Sequence, residues 1–591
     1  MNLDWILQKK ETRRFFSSAT WVPLRATKTN EQGNVYKIGY KSDFFGCGSV
    51  AIYKDFKDRA EKLSWNEIGI VETQPYAYQD GQYSPVEQYE YNDNEPIGVH
   101  FVFDYLQPVL KKRLWILNPD LVMALGLIKE GNVWVRPEEN FVEVVREFID
   151  ESGEPYLIEI KREFLIDYLA ARNLSLRLSC YRQRIINVGS LEGSEYSELP
   201  SSYSEKRDCG IFEFRIRSVN DIFGGSWAML RAWRTDIDED EDAPVMCPEN
   251  ENNTAYEKKE GHRSGYEGIR IEGEFWRDEW IEHNGLSKRV RRDIDPNLPH
   301  FIVETDGARM SSIDLNNEDI GRWLWFRSSI VNELLSFRDF SIEWFSSETG
   351  ALISASGERV HFGLNMADLI TVYACDIAKL PGWEQHIWAA HNVVPDGKVS
   401  FELIAAQVRA QPANTYAVEF LFFEVLEMLE EIFKKRFGVS LFTHEIDYID
   451  ARKSISRFIS KDQSSLLRLA KDVIRLFSDR LNVRELRKIS THSDKEKLGS
   501  NKLLQDILAQ FIGAEKAREF FGPIVGAYDM RLGDAHPTSS KIADALKLAG
   551  INEGYSYLRQ GEQLISNVGR SIWLIGTSLR EVKDINERGV E

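Results

Sequence analysis

The sequence predicts an α+β N-terminal region of several mixed, aromatic-rich α/β segments, followed by an all-α C-terminal helical bundle. Three observations carry that reading. Up to about residue 405, apolar residues fall in short runs broken by Gly, Asp and Asn turns. From about residue 406 they recur every three to four positions over long segments, the spacing of amphipathic helices. No run of eighteen apolar residues occurs, which leaves no candidate membrane span. The chain has 591 residues, 43% of them hydrophobic and 12% aromatic, enough to build roughly three or four cores.

Residues 1–188 read as a mixed α+β domain with a sensor or regulatory role. Strands are expected at 35–40, 49–53, 97–103 and 156–160, and a helix over 162–172. Residues 189–265 are linker-rich: a Gly/Ser/Glu stretch ending at Pro200, then the acidic run 236–242, read as a solvated loop and not a metal site. Residues 266–405 form a second mixed α+β domain.

Residues 406–591 form the helical domain. Asn414 and Thr415 offer a cap for a helix bearing Val418, Phe422, Leu429 and Phe433 at helical spacing, with Lys434, Lys435 and Arg436 in its last turn and Gly438 beyond. Further helices are expected behind Ser464/Ser465, over 503–511, 514–530 and 540–549, and over 554–582. In the last, Ile565, Val568, Ile572, Ile575 and Leu579 make an apolar stripe, core or dimer seam.

Several function classes fall away. The five cysteines show no CxxC spacing and no zinc-finger histidines, so reduced structural thiols are expected. His386 and His391 stand five apart between tryptophans and read as core or interface residues. The glycine clusters at 46/48 and 224/225 fit neither a P-loop nor a dinucleotide fingerprint. The first ten residues lack a signal peptide's apolar core, so a cytoplasmic protein is expected.

A net charge of −19 argues against wholesale coating of nucleic acid, but the charge is uneven. Residues 451–500 hold 13 Lys+Arg against 6 Asp+Glu. Arg468, Lys471 and Arg475 fall at i, i+3, i+7, and Arg480, Arg484 and Arg487 at i, i+4, i+7, and each triplet would form a stripe on one helical face to bind RNA.

Immediately beyond lies Tyr528-Asp-Met-Arg531-Leu-Gly-Asp534-Ala-His536-Pro537. An imidazole that exchanges protons near neutral pH, beside a guanidinium that holds phosphate, can cut RNA without metal. Arg277/His283 and Arg487/His492 share the spacing. Only Arg531/His536 closes a helix, encloses a carboxylate and stops at a proline with Ser/Thr caps following.

On these residues the final 120 to 180 positions resemble the HEPN superfamily, helical bundles whose nuclease members carry an Arg-x4-6-His motif. The residue after Arg is often polar in that family, and here it is Leu532. The resemblance implies a bacterial defence-type endoribonuclease of the abortive-infection kind, needing no cofactor and leaving 2′,3′-cyclic phosphates. His536 would serve as general acid or base, Arg531 would hold the phosphate oxygens, and Asp534 would orient the imidazole. Five residues on a helix set two side chains ~140° apart. The resemblance implies that the site is assembled across a homodimer. The front of the chain would sense an invader or restrain the tail.

Two other readings stay open. One is a non-catalytic HEPN-like bundle that dimerises or binds nucleotides. The other is a metal-dependent PD-(D/E)xK nuclease using Asp150, Glu159 and Lys161, an acid upstream of a Glu-x-Lys strand.

Overall fold

The computed structural model describes the chain apart from residues 1, 11–15, 70–75, 78–82, 92–94, 108–111, 209, 235–253, 319–320, 355–356, 444–450, 452, 534–538 and 582–591. The chain divides into two compact units. The first comprises Met1–Pro137 and Phe141–Ile294, the second Glu138–Asn140 and Asp295–Glu591. The expected boundary at 266 is thereby corrected. The strand Ile269–Ile281 sits inside the first unit's sheet, and residues 295–405 share a unit with the helical tail.

The first unit is built on a twelve-stranded antiparallel sheet. Its main path uses β1 (Trp21–Gln32), β2 (Lys41–Tyr53), β3 (Ile128–Glu130), β4 (Val133–Arg136), β5 (Val142–Ile149), β6 (Pro155–Lys161), β7 (Leu174–Val188), β8 (Ser202–Arg207), β9 (Gly210–Ser218) and β10 (Ile269–Ile281). Their order is β8-β9-β10-β7-β2-β1-β6-β5-β4-β3, and Gln88–Glu90 with Pro96–His100 branches from β2. The helices α1 (Asn2–Leu7) and α2 (Arg162–Arg172) pack against it, α2 burying Phe164, Leu165, Tyr168 and Leu169. Alternation along β7 puts Leu176, Leu178 and Cys180 on one face, in a core with Val22, Leu24, Cys47 and Ile160.

One expectation fails in this unit. Residues 35–40 are turns between β1 and β2, because Gly33 and Gly39 hold φ of 83° and 89° and reverse the chain. The 189–202 stretch, read as a linker or exposed loop, is the loop: it joins two strands of one sheet and is largely exposed, with Tyr196 packed beside Phe212 and Phe214. The acidic run 236–242 lies outside the described residues.

The second unit opens with a six-stranded antiparallel sheet of β11 (Trp323–Arg327), β12 (Ser341–Trp344), β13 (Thr349–Ile353), β14 (Arg359–Leu364), β15 (Leu369–Tyr373) and β16 (Asn392–Val393), ordered β12-β13-β14-β15-β11-β16. α3 (Gly382–His391) covers it with the fully buried Trp388. After α4 (Phe401–Arg409), the region to about residue 580 is nearly all helical. It comprises α5 (Val418–Phe437), α6 (Gln463–Phe477), α7 (Val483–Ile489), α8 (Ser500–Ile512), α9 (Ala514–Gly533), α10 (Ser539–Leu548) and α11 (Tyr557–Glu581).

The stripe of α11 is core. Ile565, Val568, Ile572, Ile575 and Leu579 are all fully buried, in one cluster with Phe422, Leu426, Leu429 and Phe433 of α5. Gly438 caps α5 in the left-handed region at φ 72°. Its N-cap is Ala417, which makes no side-chain cap bond, while Thr415 instead donates to Glu402. α9 and α10 approach closely at Gly526, where a Cβ would stand 2.3 Å from the Ala549 nitrogen.

One buried ion cluster ties this unit's sheet to its helices. Arg457 is fully buried. Its Nε and Nη2 donate to the two oxygens of Glu419 on α5 at 2.9 and 2.7 Å, and Nη1 donates to Glu562 of α11 at 2.6 Å. The guanidinium lies over Trp344 of β12, whose ring stacks on Phe458 with an interplanar angle of 3°.

Candidate functional site

α6 carries the first basic triplet. Asp462 and Ser465 close a capping box at its start, one residue pair earlier than the Ser464/Ser465 signal suggests. Leu466, Leu469, Val473 and Phe477 face the core, leaving Arg468, Lys471 and Arg475 exposed on the opposite side. Asp472 lies half-buried among them. Burial raises its carboxyl pKa above the usual range, against the pull of those three cations.

The ridge leads to Arg531. Beyond α6 the turn Ser478–Arg480 presents Asp479, four residues after Arg475. Arg531, in the last turn of α9, donates from Nη1 to both oxygens of Asp479, each at 2.7 Å. Its position is fixed by the neighbouring turns, since Ala527 and Met530 of α9 are fully buried. The guanidinium also stands 5.9 Å from the Tyr528 ring and is 32% exposed, so it remains open to solvent. A cation in the last turn also suits the helix dipole. Asp534 and His536, the other two members of the motif, lie outside the described residues.

The second triplet does not form a stripe. α6 ends at Phe477 and α7 begins at Val483, so Arg480 stands in the turn between two helices and not on the helix of Arg484 and Arg487. Arg480 donates to the Leu476 carbonyl and lies over Phe442. Arg487 donates to the Glu496 carbonyl and stands 3.6 Å from that residue's carboxylate. Arg484 is exposed.

Asp479 has no local sequence signal. It is an acidic residue in a basic run, and its partner is 52 positions away.

The other candidate constellations do not converge. Asp150 sits in the hairpin after β5 and accepts from Ser152 and the Glu154 backbone. Glu159 is four residues along β6 from Pro155, the hairpin-end residue paired with Ile149, about 13 Å at strand rise, and is engaged by Arg146 at 2.5 Å. Lys161 lies over Trp21. No group of three metal-binding side chains occurs among the described residues. His386 is exposed, whereas His391 contacts Ser329 and Glu333 at 3.1 and 2.7 Å, so the two serve no common site.

Comparisons with protein-family models, curated proteins and solved structures find no match to this chain. No helix among the described residues is long and apolar enough to cross a membrane.

Proposed function

We propose that the helical tail is a metal-independent endoribonuclease of the HEPN type, restrained or directed by the sheet-rich region before it. The observation that carries this reading is the exposed row Arg468, Lys471, Arg475 running to a solvent-accessible Arg531. RNA phosphates would follow the row, and one would exchange with Asp479 for the guanidinium.

The 2′-hydroxyl would then attack the adjacent phosphorus while His536 takes its proton. The bond to the 5′-oxygen breaks, and that oxygen takes a proton from the protonated His536 of a second copy. The products are a 2′,3′-cyclic phosphate and a 5′-hydroxyl. Arg531 would hold the non-bridging oxygens as negative charge grows on them.

A second reading has one observation in its favour. Arg531 already has a carboxylate partner, as in a bundle that dimerises or binds nucleotides without cutting. Expressing the wild type, Arg531→Ala and His536→Ala in cells separates the two. The nuclease reading expects growth arrest with degraded RNA from the wild type and neither from the variants.

A further inference from the structure

One face of the first unit's sheet opens into a cavity of about 320 Å³, within the size range of small-molecule sites. Its floor is set by register. Lys28, Phe45, Arg182 and Phe275 stand side by side on β1, β2, β7 and β10, and Cys47, Cys180 and Arg277 form the next row. Trp21, Phe16 and Gln8 complete the wall.

Three cations therefore face one space: Lys28, Arg182 and Arg277. The nearby carboxylates are committed elsewhere or shared. Asp43 accepts from Arg182 at 2.9 and 3.0 Å, and also from Arg184. Glu279 accepts the backbone N–H groups of Phe16 and Ser17 while standing 3.7 Å from Arg277. Glu159, in the wall, is held by Arg146. The Lys28 ammonium lies over the Tyr156 ring at 4.6 Å and meets no carboxylate within ion-pair distance among the described residues. Arg277 is 2% exposed and pairs with Glu279, three strands away from Lys28.

Gln8 supplies an independent sign of a ligand. It is fully buried, and its amide nitrogen donates to Gly273, yet its Oε1 accepts nothing from the described residues. A buried acceptor left so is costly, and a bound donor would relieve it.

We propose that this cavity binds a small anion carried on a planar ring that bears an N–H donor. The anionic group meets Lys28 at one end of the row, the ring stacks among Trp21, Phe45 and Phe275, and the N–H donates to Gln8 Oε1 at the other end. A nucleoside monophosphate and an indole carboxylate share this chemistry.

Calorimetric titration of the full chain with AMP, UMP, indole-3-acetate and inorganic phosphate tests it. A ring-bearing anion is expected to bind with a Kd below about 1 mM, and phosphate alone is expected to bind much more weakly. Which probe binds identifies the ligand's source. Lys28→Glu, at an exposed position, should weaken binding at least ~10-fold while Lys28→Arg retains it. Leu157→Trp, which fills the cavity, should abolish it. Absence of binding by every ring-bearing probe overturns the proposal. So does affinity that is unchanged in Lys28→Glu and Leu157→Trp, or phosphate binding as tightly as the ring-bearing probes.

Discussion

Arg531 and Asp479, 52 residues apart, meet through two 2.7 Å hydrogen bonds from one guanidinium nitrogen to both carboxylate oxygens. Both side chains stay substantially in solvent, so the pair contributes less than ~1 kcal/mol to stability. Its consequence is competition: the carboxylate occupies the group that would take a phosphate. Asp479→Asn should leave the melting temperature nearly unchanged and tighten RNA binding about five-fold, the effect of one contact charge in water. Fluorescence anisotropy with a labelled single strand measures this, and weaker binding by Asp479→Asn would refute the competition.

The exposed row on α6 should act through phosphates alone. Replacing Arg468, Lys471 and Arg475 together by alanine is expected to weaken RNA binding and to flatten its dependence on log salt by ~2, three contacts on a single strand at roughly 0.7 each. Arg480→Ala and Arg487→Ala should instead lower stability with little change in that slope, because both side chains bind neighbouring backbone. Salt titrations on all three proteins give the comparison.

Arg457 should be among the most sensitive positions in the second unit. Arg457→Met leaves Glu419, which is 4% exposed, without its partner, at a cost of ~3–5 kcal/mol. Pairing Arg457→Met with Glu419→Leu removes both buried charges and should recover most of that loss. Urea unfolding followed by circular dichroism reads both values. Equal stability of wild type and the single variant would contradict the buried cluster.

Two groups give the units opposite responses to pH. Burial, with a smaller push from Arg25, holds the His100 imidazole down at about 4, against 6.5 when free. Between those values the unfolded chain takes up a proton that the folded unit refuses, so stability should fall as pH drops from 6.5 to 4. Burial pushes the Glu384 carboxyl up to about 7 from 4.5. There the folded unit keeps a proton the unfolded chain releases, so stability should fall as pH rises from 4.5 to 7 and level off above. Thermal unfolding across pH 4 to 8 should show the acid limb flattened in His100→Asn and the other limb flattened in Glu384→Gln.

Local signals in the sequence translated well. The helix Arg162–Arg172 matches its expected span, Gly438 ends α5, and the apolar periods from 418 to 579 mark buried faces. What failed depended on distant pairing. β10 reads like the start of a new domain, yet it lies between β7 and β9, partners that nothing in its own sequence identifies. The 35–40 run has strand-forming residues, but two glycines with positive φ turn it. The second arginine triplet has helical spacing across a helix break, because Leu481 and Asn482 leave helical geometry before α7 begins. Arg531 was legible as a candidate from its motif. Asp479 was not, since an ion pair between a turn and a helix 52 residues away leaves no periodic trace.

The most direct test is to incubate the purified full chain with RNA in excess chelator and to analyse the ends. The account predicts fragments ending in 2′,3′-cyclic phosphate and 5′-hydroxyl, with a loss of at least ~100-fold in Arg531→Ala and in His536→Ala. Cleavage that needs a divalent metal, or that persists undiminished in both variants, would contradict it.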